Sequence, residues 1–507
     1  MIANACKSGH VPHDCQHPTA RARRRLAPQR GAATILFTMM VVALLGFIGM
    51  ALDLGLVYNR KVELQGLANV VALAAARQLN GTAAGVNNAL GKATATAATW
   101  KYQHNQQFVV WSNAAISFAA LSDGPWKDAA GAASSPDGLL FVKVDTGLLD
   151  AAHGAVTLNF MNIVSSSLAS VSVGGRAVAG RASIKVTPLA VCAMSNTPAA
   201  ARSNPSAPPQ VELVEYGFRR GVGYDLMQLN PSGTSAENFV IDPIDPPNVY
   251  GSAANTWPSL VGPFACVGRL AMPRVTGGPV TVGRPFPLAS LYQQLNSRFD
   301  QYVGGLCNPV TAPPDVNIKS YLYTAIPWMG TAPGAQAAQS TTHLGKLWTI
   351  ADPLPAPPPG NTAPMYGPLW AGTRAVPYSS YTASPLEPAG GYAPFATSTW
   401  TSLYAPGTPT VTAAYPGGGT ATPYSATSGA NFLAPSAAHK PMAVAKRRVL
   451  NVALLSCPVG GGALSTATVL GIGKFFMTVP ATATSIYAEF AGLAQEQSLG
   501  GEVTLYP

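Results

Sequence analysis

The sequence is poor in charged residues and lacks the common local signatures of catalysis. Only 10% of its 507 residues are Asp, Glu, Lys or Arg, and histidine occurs seven times. Neither Gly-x-Ser-x-Gly nor His-Glu-x-x-His occurs, and no glycine-rich stretch ends in Gly-Lys-Ser/Thr as a phosphate loop requires. We therefore predict that the chain is not an enzyme, with no catalytic residues and no cofactor.

The net charge of +10 does not indicate nucleic-acid binding. Half of it comes from residues 1–30, where Lys7 and five arginines face a single acid, Asp14. No basic face stands out in the remainder, so we predict no nucleic-acid partner. The clustered arginines are Arg21, Arg23, Arg24, Arg25 and Arg30.

An uncharged apolar run from Gly31 to Leu52 follows the arginines. About 20 apolar residues span a bilayer as a helix, so the run predicts a single transmembrane span. Positively charged residues next to a span stay on its cytoplasmic side. The arginines before the run and Asp53 after it therefore predict that residues 1–30 are cytoplasmic and that the chain beyond the span is exported. A cleavable signal peptide is the alternative, but its apolar core would be only about 7 to 15 residues long. Within the run, the small residues Gly31, Ala32, Gly46 and Gly49 would permit close helix packing, and Leu52 ends the run.

The helical pattern continues beyond the apolar run. One apolar stripe recurs at helical spacing, with Arg60, Lys61, Glu63 and Arg77 largely off it, and Asn80-Gly81 provides a stop. We predict one helix from about Ala32 to Leu79, half in lipid and half packed on an exported domain. The stripe consists of Val57, Leu64, Leu67, Val71, Ala74 and Gln78.

These segments carry a resemblance to a known family. Arg30-Gly31-Ala32-Ala33, the apolar run, Ala51-Leu52-Asp53-Leu54-Gly55, Tyr58, Glu63-Leu64-Gln65 and Ala72 to Arg77 occur in that order. Together they resemble the N-terminal module of Flp pilus-assembly TadE/TadG-like (Tad) proteins. The resemblance implies a bacterial inner-membrane protein with a periplasmic body. A prepilin peptidase cutting after Gly31 would want Glu at the fifth mature position, which is Leu36 here, so we predict no pilin-like processing.

The remainder predicts an α+β body. Residues 81–185 contain short β-branched and aromatic runs, among them Val156 to Phe160, which indicate a small antiparallel sheet packed on the helix. Residues 186–192 of this chain stand where many TadG-type proteins begin a von Willebrand A domain. The Asp-x-Ser-x-Ser metal motif of that domain does not occur in this sequence. Nearly continuous apolar runs at 449–457 and 467–479 predict strands buried on both faces in a mostly parallel sheet. We expect a degenerate von Willebrand A-like α/β domain formed by residues 186–352 and 441–507.

The six cysteines divide between the two predicted compartments. Four lie on the exported side, where disulfides form, and four cysteines allow three connectivities. If strands 186–192 and 449–457 lie side by side and parallel, Cys192 and Cys457 meet at one edge, which favours the pairs Cys192–Cys457 and Cys266–Cys307 over buried free thiols. The tail carries zinc-binding residue types in a spacing that matches no zinc finger, so we predict no metal there. They are Cys6, His10, His13, Cys15 and His17.

Three further segments invite interpretation. Tyr216–Asp225 is glycine-rich, and we interpret it as loop structure. Leu288 to Tyr302 predicts an amphipathic helix whose Arg298 and Asp300 are more simply solvated charges than a site. Residues 353–440 are rich in Pro, Gly and Tyr and predict a flexible or extended excursion. Its tyrosines either form an adhesive surface or hold the loop on its own domain; they include Tyr378, Tyr381, Tyr392, Tyr404, Tyr415 and Tyr424.

The sequence thus predicts a membrane-anchored accessory or minor pilin-like component of a Tad-type pilus or secretion assembly. Its partners would be the membrane and pilus or secretion-platform proteins. The alternative is an exported adhesive or binding module that presents the Tyr/Pro-rich region. The predicted order of segments is a cytoplasmic tail (1–30), the Tad-like helix (31–80), a β-rich unit (81–185), the first part of the α/β domain (186–352), the excursion (353–440) and the last strands (441–507).

Overall fold

The structure of the chain is a computed structural model in which residues 30–79, 83–136, 139–181, 183–203, 209–243, 253–273, 279–326, 336–337, 341–343, 346–348, 368–383, 387–388, 390–403, 415 and 421–506 are described. These residues belong to two compact units. The first contains the chain up to Asn59 and Val156–Val171, and the second contains Arg60–Ala155 and everything from Ser172. The tail residues singled out above, from Cys6 to Arg25, lie outside the described residues, as do Asn80, Gly81 and Tyr404.

Helices are concentrated in the first third of the described chain. The longest begins at Arg30 and contains no proline, and the second is rich in alanine, the residue with the highest helix propensity. The described α-helices are α1 (Arg30–Ala76), α2 (Ala83–Ala98), α3 (Ala129–Ser134), α4 (Ala151–Gly154), α5 (Met161–Val164), α6 (Pro258–Val267), α7 (Leu288–Leu295), α8 (Tyr378–Ala383) and α9 (Trp400–Leu403).

Strands dominate the second unit. In chain order, the described strands are β1 (Lys101–Tyr102), β2 (Gln107–Phe108), β3 (Ile116–Ala119), β4 (Phe141–Asp145), β5 (Ala155–Thr157), β6 (Ser170–Ser172), β7 (Arg176–Arg181), β8 (Ser183–Val186), β9 (Leu189–Cys192), β10 (Ala200–Ser203), β11 (Val211–Glu215), β12 (Phe218–Arg219), β13 (Gly223–Asp225), β14 (Asn238–Ile241), β15 (Leu270–Pro273), β16 (Pro279–Gly283), β17 (Thr341–His343), β18 (Lys346–Trp348), β19 (Val449–Leu455), β20 (Leu464–Met477), β21 (Tyr487–Leu493) and β22 (Val503–Tyr506).

A four-stranded antiparallel sheet forms the first part of the second unit, with strand order β22-β7-β4-β3. It shares one core with the C-terminal half of α1 and with α2. Leu64, Leu67 and Val71 of the predicted stripe are fully buried in that core. The last strand, β22, lies in this sheet, whereas the sequence suggested that residues 441–507 complete the larger domain.

The larger sheet has seven strands in the order β13-β21-β20-β16-β14-β9-β19. Because β20 pairs with β16 through its first residues and with β19 through its later ones, five strands close into a ring. Only β9 and β19 pair in parallel, and the other pairings are antiparallel. The expectation of a mostly parallel sheet is therefore wrong, and a von Willebrand A-like fold is not confirmed.

The reason for that error is burial on both faces of the sheet. Along β9, Leu189 and Val191 join one hydrophobic core, while Ala190 and Cys192 join another. Strands covered on both sides have continuous apolar sequences, and such a sequence does not encode strand direction. The apolar runs correctly indicated two covered faces but not the antiparallel order.

Two disulfides brace the second unit, in the pairings set out above. Cys192 bonds to Cys457, 265 residues away, and Cys266 bonds to Cys307, 41 residues away. In the parallel pair, Leu455 of β19 lies opposite Cys192, which brings the two cysteines to the same strand ends. The local parallel pairing was inferred correctly although the sheet as a whole is antiparallel.

The described parts of residues 353–440 pack onto the second unit instead of extending away from it. Trp400 and Tyr415 are each 1% exposed, and their rings meet edge to face with centroids 4.9 Å apart. Tyr424 is half-buried and its hydroxyl donates to Asp315 at 2.7 Å. Tyr378, Tyr381 and Tyr392 are also half-buried, whereas Tyr415 and Tyr424 hold the described part of the segment on its own domain.

Several buried charges were mistaken for surface or loop residues in the sequence. The Tyr216–Asp225 segment, interpreted as a loop, is buried and contains strands β12 and β13, and Arg220 between them is held by Glu215 at 2.8 Å and Glu387 at 2.9 Å. Arg298, expected in solvent, is 1% exposed. Elsewhere, burial raises the pKa of Glu489 to about 7, although a hydrogen bond from the Leu369 N–H opposes the shift.

Candidate functional site

The N-terminal part of α1 is an apolar helix with almost no partner inside the chain. Within the described residues it is the one helix long and apolar enough to cross a membrane, and only 6% of its most apolar window is buried. By length and composition it is a membrane anchor or a signal sequence, since a soluble core helix would be mostly buried. Its exposed large side chains are Ile35, Leu36, Phe37, Met39, Met40, Val42, Leu44, Leu45, Phe47, Ile48, Met50, Leu52, Leu54 and Leu56.

Asp53 at the end of this apolar run is buried, at 1% exposure. Its carboxylate accepts backbone N–H hydrogen bonds from Asn159 at 3.1 Å, Phe160 at 2.8 Å and Met161 at 2.7 Å. Charged acceptors make stronger hydrogen bonds than neutral ones, and a negative charge at a helix start interacts favourably with the helix dipole. Asp53 therefore caps α5, in addition to the topological role that the sequence suggested.

Gly49, one turn before Asp53, provides the space for this contact. A Cβ atom at Gly49 would lie 2.4 Å from ring atoms of Phe160, closer than any side chain tolerates. Gly46 differs, because a Cβ there would meet nothing within 4 Å. The sequence predicted the same packing role for both glycines, but they differ. Gly49 packs against Phe160 of its own chain, whereas Gly46 has no such contact among the described residues.

The remaining predicted anchor residues follow the helix. Arg30, Gly31 and Ala32 lie in its first turn, and Leu52 is 55% exposed.

The segment held by Asp53 exposes further apolar side chains. Ile163 is 81% exposed, Val164 is 78% exposed and Phe160 is 43% exposed. The residue pattern of Val156 to Phe160 predicted a strand, but β5 ends at Thr157 and α5 begins at Met161. No signal in the sequence links this segment to Asp53, because the contact spans more than 100 residues. We call the exposed apolar residues of 35–56 together with Phe160, Ile163 and Val164 the anchor surface.

Within the second unit, the continuation of α1 begins with a buried polar contact. Arg60 is 8% exposed and its Nη1 donates to the His153 carbonyl at 2.8 Å. The Glu63 carboxylate accepts the N–H groups of Gln103 and His104 at 2.9 Å each. Arg60 and Glu63 were expected off the packed stripe; their polar ends instead fasten the loops that cover this part of the helix.

One group of metal-ligand residue types is found in the described part of the chain. Cys192, Glu237 and Cys457 have ligand atoms within 4.8 Å of one another. Because the two sulfurs are joined in a disulfide, they supply no thiolate to a metal ion. The cluster is therefore structural.

Comparison with known proteins identifies the anchor region. Residues 31–78 match the model of the Tad family, described as Flp pilus-assembly TadE/G-like. The match confirms the resemblance drawn from the sequence and coincides with α1 and the two residues after it. No curated protein and no solved structure matches the chain.

Proposed function

We propose that the protein is a membrane-anchored accessory or minor pilin-like component of a Tad-type pilus or secretion assembly. The observation that carries this proposal is that the segment matching the Tad family is the same apolar helix that is left exposed in the first unit. An exposed apolar helix needs lipid or other helices around it. The protein acts by helix packing and protein–protein contact, and not by catalysing a reaction.

In this proposal α1 crosses the bacterial inner membrane once, with the arginines in the cytoplasm and the body in the periplasm. Gly49 precedes Asp53 by four residues, which is about 6 Å along a helix. Phe160 therefore lies level with the last turn of the apolar run. The anchor surface meets lipid along the span and at its periplasmic end, where Ile163 and Val164 are exposed.

Gly46 is the position we assign to contact with another helix. Small residues allow helix backbones to approach closely in membranes, and a Cβ at Gly46 would meet nothing within 4 Å among the described residues. Gly46→Leu should therefore block a partner helix without disturbing this chain. We expect normal membrane levels, but loss of co-purifying pilus or platform subunits and of assembled pili.

Gly55→Leu is the matched control. Gly55 also has open space around it, and nine residues at 100° each place it on the opposite side of α1 from Gly46. Equal effects of the two substitutions, or no effect of Gly46→Leu on assembly, would contradict the proposed contact. Full-length chain that is not retained in the membrane would contradict the anchor itself.

The alternative function is an exported adhesive or binding module. The stacked and half-buried pair Tyr378 and Tyr381, with ring centroids 6.0 Å apart, is the described part of the Tyr/Pro-rich segment that best supports it. If Tyr378→Ser and Tyr381→Ser together reduced surface attachment while pili assembled normally, adhesion would be favoured. Burial of Tyr415 in the same segment supports the assembly role.

A further inference from the structure

Among the described residues, a cleft of about 1070 Å³ in the second unit is lined by eight lysines and arginines and by one acid, Glu387. We call it the cationic cleft. Such an excess is unusual in a chain with only 10% charged residues. Five of these cationic residues lie in the cleft away from Glu387: Lys185, Arg269, Arg298, Lys446 and Arg447.

The single acid does not neutralise these side chains. Glu387 accepts hydrogen bonds from both terminal nitrogens of Arg220 at 2.9 Å and lies 3.5 Å from the Lys474 ammonium. Its charge is thus taken up by two other cations. Within the described part of the chain, none of the five named cations forms an ion pair.

Arg298 lies at the buried end of this group. It is 1% exposed, its Nη1 donates to the carbonyls of Ala265 and Leu295 at 3.1 Å each, and its Nε has no acceptor among the described residues. Burial and the neighbouring Arg447 charge hold the pKa of Arg298 well below its usual value.

Arg447 is held beside it by the end of α6. Its guanidinium donates to the carbonyls of Val267 at 2.6 Å, Cys266 at 3.0 Å and Pro313 at 3.0 Å. Gly268 permits this arrangement, because a Cβ there would lie 2.2 Å from Arg298 Nη2. The Cys266–Cys307 disulfide fastens the same helical turn.

Capping of the C-terminal end of α6 does not by itself explain why Arg298, Arg447 and Arg269 lie together there. The C-terminal end of a helix carries about half a negative charge, which is well short of two guanidinium groups with Arg269 close by. Guanidinium groups bind carboxylates and phosphates through paired hydrogen bonds. The cleft therefore has the charge, fixed donors and size to hold an extended anion.

Two aromatic rings in the cleft indicate which class of anion it binds. Trp370 and Tyr392 line the cleft beside the cations, and both come from the Pro/Gly/Tyr-rich segment 353–440. Half-buried aromatic rings can pack against the C–H faces of sugar rings, whereas bare phosphate chains have no such face. We propose that the cationic cleft binds an acidic polysaccharide, through carboxylates on the exposed Lys185, Arg269 and Lys446 side chains and sugar rings on the aromatic side chains. This site is independent of the anchor helix.

The test is a binding titration of the full-length protein in detergent with a fluorescent oligogalacturonate. We expect saturable binding that weakens with added salt, because salt screens exposed charges. Arg269 and Lys446 are exposed, so Arg269→Gln with Lys446→Gln should leave the fold intact and weaken binding about tenfold. Arg77→Gln with Lys92→Gln removes the same two charge types from exposed positions outside the cleft and should change nothing.

Three results would overturn the proposal. They are absence of saturable binding, equal weakening by the control pair, and binding of a neutral maltooligosaccharide as tight as that of oligogalacturonate. Tripolyphosphate is the competitor that distinguishes a phosphate site. If it bound while oligogalacturonate did not, the cleft would be an anion site of a different class and the polysaccharide assignment would be wrong.

Discussion

Replacing Asp53 by alanine should release the segment that forms α5. Asp53→Ala removes the acceptor of three backbone N–H hydrogen bonds to Asn159, Phe160 and Met161. Hydrogen bonds to a charged acceptor contribute about 1.5 to 3 kcal/mol each. The freed N–H groups regain water, so we take a local cost of about 3 kcal/mol, equivalent to about a 150-fold increase in local opening.

Hydrogen exchange measures that opening directly. We expect the amides of residues 159–161 to exchange about 150-fold faster in Asp53→Ala, and by a smaller factor in Asp53→Asn, which keeps one oxygen. Asp150 is the control, because its carboxylate accepts from Ala152 and caps the separate helix α4. Unchanged exchange at 159–161 in Asp53→Ala, or an equal increase in Asp150→Ala, would refute the capping argument.

Three other variants test the second unit through thermal midpoints in detergent. The pKa of Glu489 rises on folding from near 4.5 to about 7, so its protonated carboxyl stabilises the fold by about 3 kcal/mol at low pH. That contribution is lost as pH rises through about 7; Glu489→Gln should flatten this dependence, and an unchanged profile would contradict the buried carboxyl. Cys192→Ala with Cys457→Ala opens a 265-residue link and should cost about 2 to 5 kcal/mol, so an unaltered midpoint would argue against the bond. Gly175→Val should cost about 1 to 3 kcal/mol, because a Cβ there lies 2.5 Å from the Gln65 backbone, and a neutral effect would contradict that packing.

The successful predictions rest on patterns that are local in sequence. The apolar run and the stripe at Leu64, Leu67 and Val71 are each visible within a few helical turns. A helix satisfies its own backbone and is specified by neighbours three and four residues apart. The Tad resemblance had the same local origin, and it covers only residues 31–78.

The predictions that failed required long-range information. Arg298 was expected in solvent because its neighbours suggested an exposed helix face, yet it is buried and donates to the carbonyls of Ala265 in α6 and Leu295 in α7. The direction of β20 and β21 could not be derived from their apolar composition, because antiparallel strands covered on both faces have the same composition as parallel ones.

By itself the sequence determined the long apolar helix and the packed stripe that continues it, because hydrophobicity and helical periodicity act on the chain residue by residue. Only the tertiary structure decided that Asp53 caps a helix more than 100 residues away, that Gly46 is open while Gly49 is occupied, and that unpaired cations meet in one cleft. Those properties arise from contacts between distant segments. Their energies depend on burial and on the distance between charges, which composition and spacing do not contain.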